Sequence, residues 1–413
     1  MIGGNKSFCS KLKLNVPSLI TIKCLCHFCH LAAEYACRVL PKNLDFMVRE
    51  SHNWFSCSTK RQINYKTIYR LVNGDNDQPK KIVKLSGTRW LARHAAIKTI
   101  LHQYDALKLH FELAKEKDRC YTAQRLYDMY RDEDNRIYLV FLSLILSKVT
   151  AINKLFQSDS VDPLKLFDDL YEILYSLLQK IVIPQHLKKT RRQNLEHFEF
   201  RQYLMSTNCL NLGYEFNLTC TGRPAQNVKN IMHRCKDFLI ELCSQLQQRL
   251  LENIDVLKSM STFSPQLATS QIWNLLHTVH ISFTSTEDYW IGINEILNAG
   301  GQQRYGHICK LVLAILSLPF SNASVERMFS IMNIVKNKLR NKMSIKTTET
   351  ILRLKDNLPD GCINFEPSKE MIRKFNSENM YSSNFVEDVL EAFADIRVNI
   401  GCVPKFNAST KNV

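Results

Sequence analysis

The stretch Leu318-Pro319-Phe320-Ser321-Asn322-Ala323-Ser324-Val325-Glu326-Arg327-Met328-Phe329-Ser330 reads as the opening of a helix. Pro319 and the small polar run Ser321, Asn322 and Ser324 supply several N-cap candidates. Beyond them Val325, Met328, Met332, Val335 and Leu339 recur at three- and four-residue steps, which places them on one apolar stripe. Glu326 follows Val325 by one residue, roughly 100° around the helix, at the edge of the stripe. Such a carboxylate is either a first-turn charge favoured by the helix dipole or an acid at the rim of a site. Helix physics alone favours the first.

The composition of the 413 residues sets the frame: room for one large core or two to three domains. Hydrophobic residues make up 45% and charged residues 23%, as in an ordinary soluble domain. With only 12 Gly and 11 Pro, long helices and few tight turns are expected. An excess of 55 Lys and Arg over 39 Asp and Glu gives +16, which favours polyanionic partners without locating a binding face. The 14 cysteines raise the question of disulfides. The start Met1-Ile2-Gly3-Gly4-Asn5-Lys6 lacks the layout of a signal peptide, and the apolar run Tyr138 to Leu146 is too short to span a bilayer. Free thiols in a reducing compartment, and no membrane partner, are therefore expected.

Along the chain, Pro17 to Cys24 reads as a β-branched strand, followed by a helix from His27 to about Val39. Helical periodicity continues around Phe46, Met47, Trp54, Phe55 and Tyr69 until the polar loop Gly74 to Lys80 breaks it. From Trp90 to about Gly300 the pattern is almost wholly helical. Ser160-Val161-Asp162-Pro163 starts one helix, Pro184 ends it, and Pro224 opens another through Val228, Ile231, Cys235, Phe238, Leu242 and Leu246. Short helices are expected from about Ser368 and from Val386 to Ile396.

Three patches invite chemistry. Cys24-Leu25-Cys26-His27-Phe28-Cys29-His30 crowds thiols and imidazoles into seven residues, but zinc prefers two separated ligand pairs and no second pair follows, so no metal is expected. Trp90, in Thr88-Arg89-Trp90-Leu91, reads as a core aromatic opening an amphipathic helix through Ala95, Ile97 and Ile100. Lys188-Lys189-Thr190-Arg191-Arg192 reads as a solvated basic loop. The phosphate-binding Gly-rich loop, Gly-x-Ser-x-Gly and His-Glu-x-x-His are all absent.

The segment Ser324-Val325-Glu326-Arg327-Met328-Phe329-Ser330, followed by Leu339-Arg340-Asn341-Lys342-Met343 and Ile351-Leu352-Arg353-Leu354, resembles the C-terminal signature of hAT-superfamily transposases. The resemblance implies that Glu326 is the third carboxylate of an RNase H-like Asp/Asp/Glu site. It implies dimerisation through Val325, Met328, Phe329, Met332, Val335, Leu339, Ile351, Leu352 and Leu354. Cys24-x-x-His27 falls where the family carries a Cys-x-x-His motif, and Arg89-Trp90 where it carries an Arg-Trp pair. His27, Arg89 and Trp90 are thereby DNA-binding candidates, with Trp90 stacking on an unpaired base and Arg89 on phosphate.

Met1 to Phe8 resembles the end of the segment that bears the family's second Asp, so both partner carboxylates would fall upstream of Met1, as would the family's zinc finger. The resulting expectation is a mainly α chain with a partial RNase H-like α/β core, interrupted by a large all-helical insertion. Its parts are an RNase H-like remnant (1–84), the helical insertion (85–300), the C-terminal helix with the dimerisation region (301–358) and a helical extension with a tail (359–413). The function implied is that of a transposon-derived, catalytically incomplete nuclear protein acting through a homodimer or a heterodimer with a related protein, with residual DNA binding. Mg or Mn would serve only a full-length active form. A fragment of an active transposase and a helical adaptor with no DNA role are the alternatives.

Overall fold

The computed structural model describes residues 7–374 apart from 18, 20, 75–76, 86–89, 159–160, 191, 269–282, 319, 337–342 and 359–364. The chain divides into two units, residues 1–326 and 327–413.

The first unit is built of helices in chain order: α1 (Phe8–Asn15), α2 (Leu25–Cys37), α3 (Asn43–Ser56), α4 (Thr59–Asn73), α5 (Trp90–His102), α6 (Tyr104–Asp118), α7 (Tyr121–Arg131) and α8 (Glu133–Phe156). There follow α9 (Leu166–Leu178), α10 (Pro184–Lys189), three short 3-10 segments between 192 and 209, α11 (Tyr214–Cys220), α12 (Ala225–Leu251), α13 (Ile254–Ser261), α14 (Pro265–Ala268), α15 (Thr286–Asn294) and α16 (Gly306–Leu316). Helix α17 (Ala323–Val335) crosses the boundary, and α18 (Ile345–Asn357) and α19 (Lys369–Lys374) lie in the second unit.

Local chemistry accounts for many of the ends. Ser58, Asp132, Ser285 and Ser344 accept backbone N–H groups of the turns they open, each satisfying one donor the helix itself leaves orphaned. Pro184 stands at the start of α10 and Pro224 caps α12. Gly74 ends α4 at φ +89°, a conformation open to glycine, and its N–H returns to the Arg70 carbonyl at 2.8 Å.

Helix α8 is the trunk of the first unit. Its residues Ile137, Leu139, Phe141, Leu142, Ile145 and Leu146 are buried among α2, α5, α7, α9, α11 and α12. By length and composition alone α8 is apolar enough to cross a membrane, yet half of its most apolar window is buried against the rest of the chain. It also carries Asn135 and Asn153, both buried. Each fully covered Leu or Phe stabilises by roughly 1.5–3 kcal/mol, so the trunk is a large share of the core. The 27-residue α12 lies along α2, and this pairing holds the N-terminal helices onto the trunk.

The expected RNase H-like α/β core is overturned. Among the described residues there is no strand, only the isolated bridges Val182 with Leu204 and Leu297 with Gln303. Pro17 to Cys24, read as a strand from its β-branched residues, forms none in its described part. β-branching favours a strand only where a neighbour completes the ladder. Here Ile22 packs half-buried on the helical core, and the Lys23 N–H donates to Asn253 Oδ1 at 3.2 Å, just past the end of α12. The Lys23 ammonium pairs with Glu252 at 2.8 Å. A helix-end side chain thus takes the donor a ladder would have used. The RNase H-like labels on 1–84 and 301–358 fall with the sheet. Of Met1 to Phe8, read as resembling the end of the second-Asp segment, residues 1–6 lie outside the described residues and Phe8 opens α1. The expected helix from Val386 to Ile396 lies outside the described residues.

Candidate functional site

The signature stretch forms α17, and Ser344 caps α18 by accepting the Thr347 N–H at 3.0 Å. In the second unit, Met328 and Met332 of α17 face Ile345 and Leu352 of α18 across a groove of about 410 Å³. Lys336, Glu349 and Arg353 line it as well, with Arg353 and Glu349 paired at 2.6 Å. Exposed surface pairs of this kind contribute at most about 1 kcal/mol, so Arg353 and Glu349 add charge to the groove rather than stability.

The residues implied for dimerisation do not share one environment. Met328, Met332, Ile351 and Leu352 are half-buried, Val335 is buried, and Val325, Phe329 and Leu354 are exposed. Leu339 lies outside the described residues. Ile334 and Ile345, which the sequence did not single out, are 72% and 79% exposed. Apolar side chains are thus left open on a short helix pair beside the groove.

The other motif meets the start of this region within the first unit. Cys24 caps α2, and Cys26 Sγ lies 3.4 Å from Ser321 Oγ, four residues before α17's Val325. A hydrogen bond from the Cys26 thiol pulls the Cys24 thiol down, and the Asn322 backbone adds to this against burial. The Cys26 thiol is pushed up by the proton it gives to Cys24 and by burial. Burial raises Cys29 to about 12. It lowers His30 to about 4, with the neighbouring His27 ring adding to the effect. His27 is exposed and stacks on His30 with ring centres 6.1 Å apart. Arg89 lies outside the described residues; Trp90 opens α5, and its side chain lies outside them too.

A divalent-metal centre needs several converging carboxylates. Among the described residues no group of three His, Cys, Asp or Glu gathers in a metal-holding arrangement. Glu326 is exposed, and its N–H donates to the Asn322 carbonyl at 2.9 Å. Asp45 pairs with Arg93 across α3 and α5, and Asp77 accepts the Tyr69 hydroxyl at 2.8 Å. Asp45 and Asp77 are thus engaged by Arg93 and Tyr69, and neither is gathered with other carboxylates among the described residues.

Residues 270–358 match the hAT family C-terminal dimerisation region. The matched span takes in α15 to α18, including both walls of the groove. It points to hAT-superfamily ancestry for this part of the chain. No curated protein sequence matches the chain.

Two features were not marked by the sequence. One is the amide pair Asn43 and Asn135, linked at 3.0 Å, where the buried Asn135 also donates to the Met129 carbonyl at 3.0 Å. The other is the aromatic nest of Trp54, Phe55, Tyr65, His110 and Phe111. Nothing in a lone Asn or His announces such partners, because they lie on other helices.

Proposed function

We propose that this chain is a transposase-derived helical protein that works by self-association through α17 and α18. The observation that carries the reading is the dimerisation-region match over a helix pair with an open apolar groove. Two copies laying Met332 and Leu352 against each other would remove from water the surface each leaves exposed. The test is sedimentation equilibrium on the full chain at micromolar concentration. Wild type is expected to be a dimer, and Met332→Asp with Leu352→Asp a monomer of unchanged helical content. A wild-type monomer, or a dimer indifferent to both substitutions, refutes it.

We also propose that these 413 residues perform no metal-dependent strand cleavage and act in the nucleus. The engagement of Asp45 by Arg93 and of Asp77 by the Tyr69 hydroxyl supports the first part. Cleavage in Mg or Mn that is lost on Glu326→Gln would overturn it.

A further inference from the structure

A cavity of about 170 Å³ opens in the first unit between α3, α4 and the segment after α4. Phe55, Tyr65, Pro79 and Ile82 give it apolar and aromatic walls, and Lys66, Lys80 and Lys81 line it as well. It is smaller than the roughly 300–1,000 Å³ of sites for drug-sized molecules. A cavity of about 150 Å³ in another protein accepts benzene, so this one has room for a single planar ring system.

The slot is held open by hydrogen bonds at both ends of its covering segment. Tyr69 donates to Asp77 at 2.8 Å, and Asp77 in turn accepts the Gln78 N–H at 2.8 Å. Gln103, buried, accepts from the Tyr65 hydroxyl at 3.0 Å and donates to the Lys80 carbonyl at 3.0 Å. One side chain therefore fixes both an aromatic wall and the backbone that carries two of the lysines. Ile82, buried, anchors the far side.

Behind the walls, the His110 ring lies 5.1 Å from Phe55 and 5.4 Å from Tyr65, centre to centre. Phe55 and Tyr65 stand 4.8 Å apart. The rings brace one another, so the walls do not need to rearrange to receive a ligand.

Charge selects what enters. Helix α4 carries Lys60, Arg61, Lys66 and Arg70 and no carboxylate. Arg61 is taken up by Asp118 at 3.2 Å, whereas Lys66, Lys80 and Lys81 make no ion pair among the described residues, Lys80 acting only at longer range on the Asp77 carboxylate. A neutral apolar ligand would leave three ammonium groups unused, and an inorganic anion would leave the aromatic walls unused. We infer that the slot takes a nucleotide unit, its base laid against the wall that Phe55 and Tyr65 form with Pro79 and Ile82, and its phosphate on the lysines.

Two sources share that chemistry, a free nucleotide and a single-stranded nucleic acid. The slot is independent of self-association, and the Met332→Asp, Leu352→Asp protein serves as a control that should bind equally well. The probes are deoxyadenosine monophosphate, a short deoxyadenylate strand carrying a fluorescent adenine analogue, and an abasic strand of equal length. The base-bearing strand is expected to bind about 5- to 150-fold more tightly than the abasic strand, with its fluorescence quenched by stacking. Phe55→Leu should remove most of that preference. Lys80→Gln with Lys81→Gln should weaken both strands and flatten the salt dependence by roughly 0.7 for each phosphate no longer neutralised. Monophosphate binding as tight as the strand's assigns the slot to free nucleotides, and tighter strand binding assigns it to nucleic acid. Equal affinity for base-bearing and abasic strands overturns the inference. So does binding untouched by the two lysine changes, which lie on an exposed segment and leave folding intact even if Phe55→Leu does not.

Discussion

His110 should make the first unit acid-labile in a defined window. It is 4% exposed, and Trp54 Nε1 donates to its Nε2 at 3.0 Å, which leaves the ring proton on Nδ1. Burial lowers its titration to about 4; Asp118 opposes the shift and Arg61 aids it. The ordinary unfolded value is about 6.5. Between these values the unfolded chain holds a proton that the folded chain refuses, so the stability His110 contributes is complete above 6.5 and is lost as pH falls toward 4. Linkage gives a loss of about 2 kcal/mol by pH 5 and about 3 kcal/mol by pH 4. His110→Gln keeps an acceptor for Trp54 and cannot titrate. Urea unfolding followed by tryptophan fluorescence across this range should show a shallower acid limb in the variant by those amounts. His30 falls in the same direction and remains in both proteins. Parallel pH profiles for wild type and variant, or a His110 proton resonance titrating near 6.5, would refute the reasoning.

Two further outcomes follow from polar contacts. Cys24 should alkylate faster than the buried Cys29, Cys235 and Cys243 near neutral pH, and Cys26→Ala should slow it by removing the donor that favours its thiolate; mass spectrometry after timed iodoacetamide treatment reads both. Asn135→Ala should cost about 1–3 kcal/mol, because it strands the buried Met129 carbonyl and unpairs Asn43, while Asn43→Ala alone, at a half-buried site, should cost less; the urea midpoints measure the order.

What the sequence disclosed depended on how far apart the deciding atoms lie. Pro224 marks a helix start because capping is settled within a few residues, whereas Pro184, read as ending a helix, opens α10 after α9 has already stopped at Leu178. The helix from Ala323 to Val335 was legible because helical spacing alone signals it, but its burial was not, since Val325 is exposed and Val335 buried. Pro17 to Cys24 misled, since strand formation depends on a neighbour and the neighbour here is Asn253, about 230 residues on. The nucleotide slot was hidden for a similar reason. Phe55 and Tyr69 read as ordinary helical aromatics and Gly74 to Lys80 as a break, and only Gln103, just past α5's far end, folds that break back over Tyr65. Likewise, the meeting of Cys26 with Ser321 spans 295 residues.

The trunk helix α8 has a history as well as a position. During synthesis it emerges when α2, α5 and α7 already exist, but α9, α11 and α12 do not. From Phe156 to Leu251 the ribosome works for roughly 5–20 s. For that interval one side of a segment apolar enough to enter a bilayer has no protein partner. The chain therefore runs a race at every round of translation, between the arrival of its own later helices and capture by whatever else binds apolar helices. A pause between Phe156 and Leu251 would lengthen that exposure while leaving the finished protein unchanged.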